Sequence, residues 1–208
     1  MTDKGAYASG LSPVDAALKR GFDVFGSALG LLLTFWLIAL AWLVATVDTR
    51  ANGFFTQERV GRYGRRFSVV KLRTMQVDPA VNTTVTTAGD ARITPVGRLL
   101  RRAKLDELPQ LINVLKGDMS FVGPRPDVPG FADTLEGEDR IILTVRPGIT
   151  GPATLKYRDE EALLAGADDP EAYNRDVIYP DKVRINREYV QNWSFRRDVQ
   201  YIWKTILG

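Results

Sequence analysis

Asp106 and Glu107 stand side by side in Leu105-Asp106-Glu107-Leu108-Pro109-Gln110. Arg101 and Arg102 precede them by about one helical turn, and Arg125 follows in Gly123-Pro124-Arg125-Pro126. Carboxylates with arginines in reach and no imidazole point to phosphoryl chemistry. Guanidinium groups clamp phosphate oxygens. One carboxylate can hold Mg²⁺, and a second can attack phosphorus to give an acyl phosphate. The plainer reading is that the pair complements a helix dipole and the arginines make surface ion pairs with the acidic second half of the chain.

Composition narrows the choice. The 208 residues contain no cysteine and no histidine. Disulfides, thiolate metal sites, Ser-His-Asp catalysis and HExxH zinc sites are thereby excluded. Any metal must be a hard cation held by oxygen. At 45% hydrophobic and 25% charged, the chain has the composition of an ordered protein. Its length can bury a core without staples and corresponds to one to one-and-a-half domains.

The elements that must position the dyad are readable. Leu108, Leu111, Ile112 and Leu115 recur at helical spacing. Pro109 is tolerated only in a first turn, so the helix is predicted to start near Asp106 and to stop at Gly117. Thr94-Pro95 predicts the N-cap and first residue of a preceding helix, with Arg98, Arg101 and Arg102 on one face. Phe54–Gln57 and 67–73 read as strands of a hairpin, joined by the basic, Gly-punctuated turn 59–66. Residues 76–92 read as a polar, Thr-rich loop. Residues 121–126 read as a rigid loop, 146–152 as a Pro/Gly turn, and 158–172 as an acidic helix plus loop. The stretch 181–207 is helical in pattern. Its Trp193, Phe195, Tyr201 and Trp203, beside Arg196, Arg197 and Lys204, suit either a membrane–water interface or an ordinary core.

Charge is uneven behind the net +3. Residues 50–104 hold 12 basic and 3 acidic side chains, whereas 105–208 hold 13 basic and 18 acidic. A concentrated basic segment implies an anionic partner. Upstream, Val24–Val47 is free of ionisable residues. As a helix it reaches roughly 36 Å, enough to cross a hydrocarbon core. Lys19 and Arg20 flank one side, and Arg50, Arg59, Arg62, Arg65 and Arg66 the other. The positive-inside rule asks for both flanks on the cytoplasmic side. Gly26, Ser27, Gly30 and Thr34 offer weak hinges, and no proline marks a break. The residues alone leave a re-entrant and a spanning helix both open.

Several blocks together resemble the bacterial sugar transferase family, the monotopic polyprenyl-phosphate phosphoglycosyl transferases. They are KRGFD before the apolar segment, FFTQERVGRYGRRFSVVKLRTM, LDELPQLINVLKGDMSFVGPRP and RPGITGP, with a tail NREYVQNWSFRRDVQYIWKTI. The likeness runs in order over roughly residues 19–158. It implies a mainly helical α+β fold with a small β-hairpin. It also implies one N-terminal re-entrant membrane helix and interfacial amphipathic helices. Residues 1–49 would be the leader and membrane part, and 50–208 the catalytic domain on the cytoplasmic face of the bacterial inner membrane.

The resemblance also implies a reaction. A sugar-1-phosphate would move from a UDP-sugar to a polyprenyl (undecaprenyl) phosphate, releasing UMP, as a first membrane step of glycan assembly that hands its product to downstream membrane glycosyltransferases. Asp106 would be the nucleophile that carries the phosphosugar, and Glu107 would help to hold Mg²⁺. Arg101, Arg125, Arg158 and Lys71 match positions that meet phosphate. Two departures stand out: Phe35-Trp36 replaces the Ser-Pro break, and Pro152–Asp159 replaces a tryptophan and Gly-Arg-Asn pattern, with an acidic insertion around 159–176. Two rival readings are a non-catalytic membrane-anchored scaffold that binds lipid and a nucleic-acid-binding domain. The apolar segment and the acidic second half speak against the latter.

Overall fold

The computed structural model describes residues 10–77 and 90–207. The first nine residues of the leader, and 78–89 of the expected Thr-rich loop, lie outside the described residues. A bridge between Met75 and Ile93 closes the base of that loop.

Helix α1 runs unbroken over Pro13–Thr49. Ser12 caps it by accepting from the Asp15 amide (3.1 Å), and Pro13 occupies the first turn. The Ser27 and Thr34 hydroxyls do bond back, to the Asp23 and Gly30 carbonyls. These side-chain bonds leave the helix continuous, since no proline removes a backbone donor. The helix also starts eleven residues before the apolar run, because Ser12-Pro13 is a strong start signal.

The helix is amphipathic in an inverted sense. Lys19, Asp23, Ser27, Ile38, Ala41, Ala45 and Thr49 are buried. Phe25, Leu32, Leu33, Phe35, Trp36 and Val47 point outward and are 59–72% exposed. Small and polar residues let the helix lie close to the rest of the chain: a Cβ on Gly26 would meet the Phe121 ring at 2.8 Å. Near its start, Lys19 donates to Asp198 (2.5 Å), and Asp23 accepts from the Ser120 hydroxyl and the Phe121 amide. Near its end, Ala41 and Ala45 pack with Leu72 and Leu100.

Strands β1 (Phe54–Val60) and β2 (Arg66–Leu72) form the expected hairpin, in register from Phe54 opposite Leu72 to Val60 opposite Arg66. The turn places Tyr63 and Gly64 at positive φ (58° and 71°). Helix α2 (Pro95–Arg102) starts as predicted, with the Thr94 hydroxyl accepting from the Gly97 amide. Helix α3 is Gln110–Lys116 and stops at Gly117, φ 95°. Its start corrects the expectation: Asp106 and Glu107 lie in a separate 3₁₀ turn, Leu105–Glu107. Pro109 has no N–H to bond back to Leu105, so the chain enters α3 through i→i+3 bonds from Leu108 and Leu111.

A second sheet was not expected. Strand β3 (Ser120–Val122) pairs in parallel with β4 (Gly148–Thr150), joining the segments read as a loop and a turn. Glycine makes the approach possible: a Cβ on Gly148 would lie 2.1 Å from the Gly123 nitrogen. Helices α4 (Pro152–Lys156), α5 (Glu160–Ala165) and α6 (Pro170–Tyr173) lead through a π-turn into α7 (Tyr179–Gln191). Helix α8 is Phe195–Leu207, so the stretch of helical pattern is two helices, parted at Asn192-Trp193-Ser194.

The main core gathers Val60, Val122, Ile141, Ile142, Leu143, Val183, Tyr189 and Val190, with Trp193 and Tyr201 against it. Those two aromatics thus pack on the core, and the half-buried Phe195 meets the Phe22 ring edge-on. Trp203 is different, at 57% exposed beside Ile206 and Leu207.

Candidate active site

The dyad sits where the hairpin, α2 and α3 meet. Lys104, at φ 56°, turns the chain out of α2 and into the 3₁₀ turn that presents Asp106 and Glu107. Asn113 of α3 locks that helix to the hairpin: its side-chain oxygen accepts from the Val70 amide (3.0 Å) and its nitrogen donates to the Ser68 carbonyl (2.8 Å). Lys71, one residue on in β2, is thereby set beside Glu107.

Glu107 is held by two cations. Arg125 donates to its Oε1, and the Lys71 ammonium lies 3.6 Å from the same oxygen. Burial acts to raise the Glu107 carboxyl, but Arg125 and then Lys71 outweigh it and hold it well below the usual range. The effect is mutual for Arg125, which Glu107 raises. Lys71 goes the other way: burial first, and the Arg125 charge second, lower its ammonium to about 8.

Asp106 differs from its neighbour. It is buried at 9% exposure, and its Oδ1 has no hydrogen-bond partner. Burial, followed by the Glu107 charge, lifts its carboxyl above the ordinary aspartate range, with Lys71, Arg101 and Lys104 opposing. A carboxylate oxygen that is buried, unpaired and ringed by cations is a nucleophile or ligand in waiting.

The donor set also suits a hard cation. No group of three or more Asp, Glu, His or Cys residues capable of holding a metal occurs among the described residues. Mg²⁺ does not need one, because it keeps waters and takes substrate phosphates alongside one or two carboxylates. The orphaned Asp106 oxygen and the adjacent Glu107 meet that demand.

The match to known proteins decides the family. The model of the family described as "Bacterial sugar transferase" covers residues 14–208. The chain belongs to the bacterial sugar transferase family. It is 32% identical to the exopolysaccharide production protein ExoY of Rhizobium meliloti, over 93% of this chain and 86% of that protein. It is 35% identical to the UDP-glucose:undecaprenyl-phosphate glucose-1-phosphate transferase of Caulobacter vibrioides, over 90% and 68%. With the undecaprenyl-phosphate galactose phosphotransferase of Salmonella typhimurium it shares 33% identity, over 90% of this chain and 39% of that longer one.

The structure brings Asp106, Glu107, Lys71 and Arg125 together. Arg101 is near enough for its charge to act on Asp106, and its guanidinium donates to Thr74 (2.9 Å) and Glu161 (2.8 Å). Arg158 is not brought to the dyad. It donates to the Lys204 carbonyl near the end of α8 (2.9 Å).

Three further ionisable groups of the site had no signal in spacing. Arg59 in β1 donates to the Pro126 carbonyl, and burial with the adjacent Arg125 lowers it to about 10. Asp127 follows the GPRP loop; burial lifts it to about 6 against the pull of Lys182 and Arg59. Lys182, from α7, is gripped by Glu160 of α5 (2.6 and 2.7 Å). The acidic insertion therefore lies against this cationic rim, Glu160 on Lys182 and Glu161 on Arg101.

Proposed function

We propose that the protein moves a sugar-1-phosphate from a UDP-sugar to undecaprenyl phosphate, with Asp106 as covalent carrier. The observation that carries this reading is the unpartnered, buried Asp106 oxygen within a ring of Lys71, Arg101, Lys104 and Arg125. The relatives named as undecaprenyl-phosphate sugar phosphotransferases support the acceptor class.

The Asp106 carboxylate attacks the sugar-bearing phosphorus. The bond from that phosphorus to the bridging oxygen breaks, and UMP leaves with the oxygen and its electron pair. An oxygen of the polyprenyl phosphate then attacks the same phosphorus, and the Asp106 carboxylate is returned. Splitting the transfer lets UMP depart before the lipid arrives. Arg125 and Lys71 keep Glu107 ionised and present positive charge to the equatorial oxygens, and Arg101 adds a third cation once it exchanges Glu161 for phosphate. Mg²⁺ would be held by Glu107 and would neutralise the diphosphate, leaving the free Asp106 oxygen to attack.

The same reading places α1 in one leaflet of a membrane. Its outward face is large and apolar, and only 17% of its most apolar stretch is buried against the protein. A core helix of a water-soluble fold would show the reverse. Both halves of α1 pack on the same folded body, through Lys19 and Asp23 at one end and Ala41 and Ala45 at the other. That supports both ends lying on the cytoplasmic side. Asp15→Cys and Arg50→Cys, in the cysteine-free background, are expected to react together with an impermeant thiol reagent from one side only; opposite sides would establish a spanning helix.

The deciding experiment is trapping. Donor labelled in the sugar phosphate, without acceptor, should leave label on Asp106 and release one UMP per protein. Steady UMP release on adding acceptor, with no label ever found on Asp106, would replace the covalent route by direct transfer.

A further inference from the structure

The far end of α3, away from the dyad, collects three arginines. Arg20 of α1 donates to the Val114 and Leu115 carbonyls (2.7 and 2.8 Å). Arg146, just before β4, donates through Nε to the Gly117 carbonyl (2.7 Å). Arg62, in the hairpin turn, donates through Nε to the Thr144 carbonyl (2.7 Å), two residues before Arg146. A Cβ on Gly117 would lie 3.3 Å from Arg20 Nη2 and 3.8 Å from Arg146 Nε, so two guanidiniums flank one glycine. All three arginines are half-buried.

These contacts satisfy donors without cancelling charge. Every hydrogen-bond acceptor is a backbone carbonyl, and the Arg62 guanidinium also lies 4.5 Å over the neutral Tyr63 ring. Among the described residues, none of the three arginines has a carboxylate within ion-pair distance. The nearby acids are committed elsewhere: Asp23 to Ser120 and Phe121, Asp118 to Asn113. The mutual repulsion is felt at Arg146, which burial and then the Arg62 and Arg20 charges lower, with Asp23 opposing. The Nη groups of Arg62 and Arg146 remain to bind an anion with a forked geometry.

The surroundings say which anion. Arg20 stands one turn before the apolar run of α1, and Val24, at i+4 on the same side of the helix, is 38% exposed. The side chain of Leu115, whose carbonyl Arg20 caps, is itself 37% exposed. A phosphate beside an apolar surface is the signature of an amphiphile. We infer that Arg20, Arg62 and Arg146 form a second anion site, at the end of α3 opposite Asp106 and Glu107, that takes the phosphate of an anionic phospholipid headgroup. The inference rests on the membrane reading of α1. It assigns to the lipid the counter-charge that the fold withholds, and it ties α3, whose other end follows the 3₁₀ turn of the dyad, to the membrane surface.

The test uses the whole protein in nanodiscs of phosphatidylcholine alone and of phosphatidylcholine mixed with phosphatidylglycerol. A ligand that binds only the folded state raises the unfolding temperature. The wild type should gain about 2–4 °C from the anionic lipid, a gain that salt diminishes. Arg62→Gln with Arg146→Gln should lose that gain while keeping its UMP release in zwitterionic discs. Arg62→Gln alone, which leaves the Arg146 bond to α3 intact, should lose part of it and guards against a folding defect. A wild type indifferent to phosphatidylglycerol would overturn the site. An equal gain from glycerol phosphate added to zwitterionic discs would overturn the lipid assignment in favour of a free phosphate. Failure to enter any disc would instead sink the membrane reading on which the inference rests.

Discussion

Where α1 meets α8, Lys19 is buried against Asp198, and both oxygens of Asp198 are used: Oδ1 accepts from Tyr189, and Oδ2 from Lys19 and Trp193. Where the hairpin meets α3, two carboxylates are buried among Lys71, Lys104, Arg101 and Arg125, and one oxygen of Asp106 accepts from nothing. The first cluster is one cation on one anion, closed by neutral donors. The second has cations to spare and an open lone pair. Burial raises the stakes equally in both, because an unpaired charge in low dielectric is costly. The difference teaches which cluster holds the fold and which is left incomplete for a substrate: saturation marks structure, and a surplus of one sign marks a binding site.

The sharpest way to break that contrast is to neutralise one aspartate in each cluster. Asp106→Asn should lower UMP release by about 10³-fold or more, since an amide cannot attack phosphorus. It should leave the unfolding temperature unchanged or raised, because no partner is lost. Asp198→Asn should do the opposite. Stripping Lys19 of its buried counter-charge costs about 3–5 kcal/mol, and activity per folded molecule should persist. If Asp106→Asn unfolds the protein as readily as Asp198→Asn does, the incomplete cluster is structural after all.

A second expectation follows from titration within the reactive cluster. Asp106 works as the carboxylate, so rate should rise as pH climbs through its elevated pKa. Lys71 works as the ammonium, so rate should fall as pH climbs through about 8. The profile is a bell. Glu107→Gln removes the anion that supports the Lys71 charge and should shift the alkaline limb to lower pH, with a lower rate throughout. Lys71→Arg should abolish that limb, because arginine keeps its proton. An alkaline limb near 8 that survives Lys71→Arg would assign it to another group.

Much of this was legible in the residues. Asp106-Glu107, the Thr94-Pro95 start of α2, the Gly117 stop and the hairpin are local signals, fixed by caps, turns and periodicity within a few positions. The start of α3 was misjudged because Pro109 favours a first turn yet leaves the preceding residues free to form a separate 3₁₀ turn. The β3–β4 pair was missed for a different reason. Two three-residue strands separated by 25 residues carry no alternation, and their pairing depends on Gly123 and Gly148 meeting across that distance. Lys182 and Asp127 belong to the site only through tertiary contact, and Arg158, placed by likeness, is claimed by the α8 carbonyl instead. The apolar run of α1 was plain, but its inverted face was not. Which stripe turns inward depends on what Phe121, Leu111 and Asp198 offer it.

The smallest effect concerns the acidic insertion, where the two kinds of cluster overlap. Glu161 gives Arg101 a partner at 2.8 Å, yet its side chain is 48% exposed. A half-exposed pair is worth about 1 kcal/mol at most. It therefore holds Arg101 in place without closing it off, and donor phosphate can take the guanidinium by exchange. Glu161→Gln removes the competitor and should lower the KM for the UDP-sugar by no more than about fivefold, with kcat unchanged, since the pair is absent both from bound substrate and from the transition state. A rise in KM would mean that Glu161 positions Arg101 for phosphate rather than competing with it. The saturated pair would then be part of the site, and saturation alone would no longer separate structure from function.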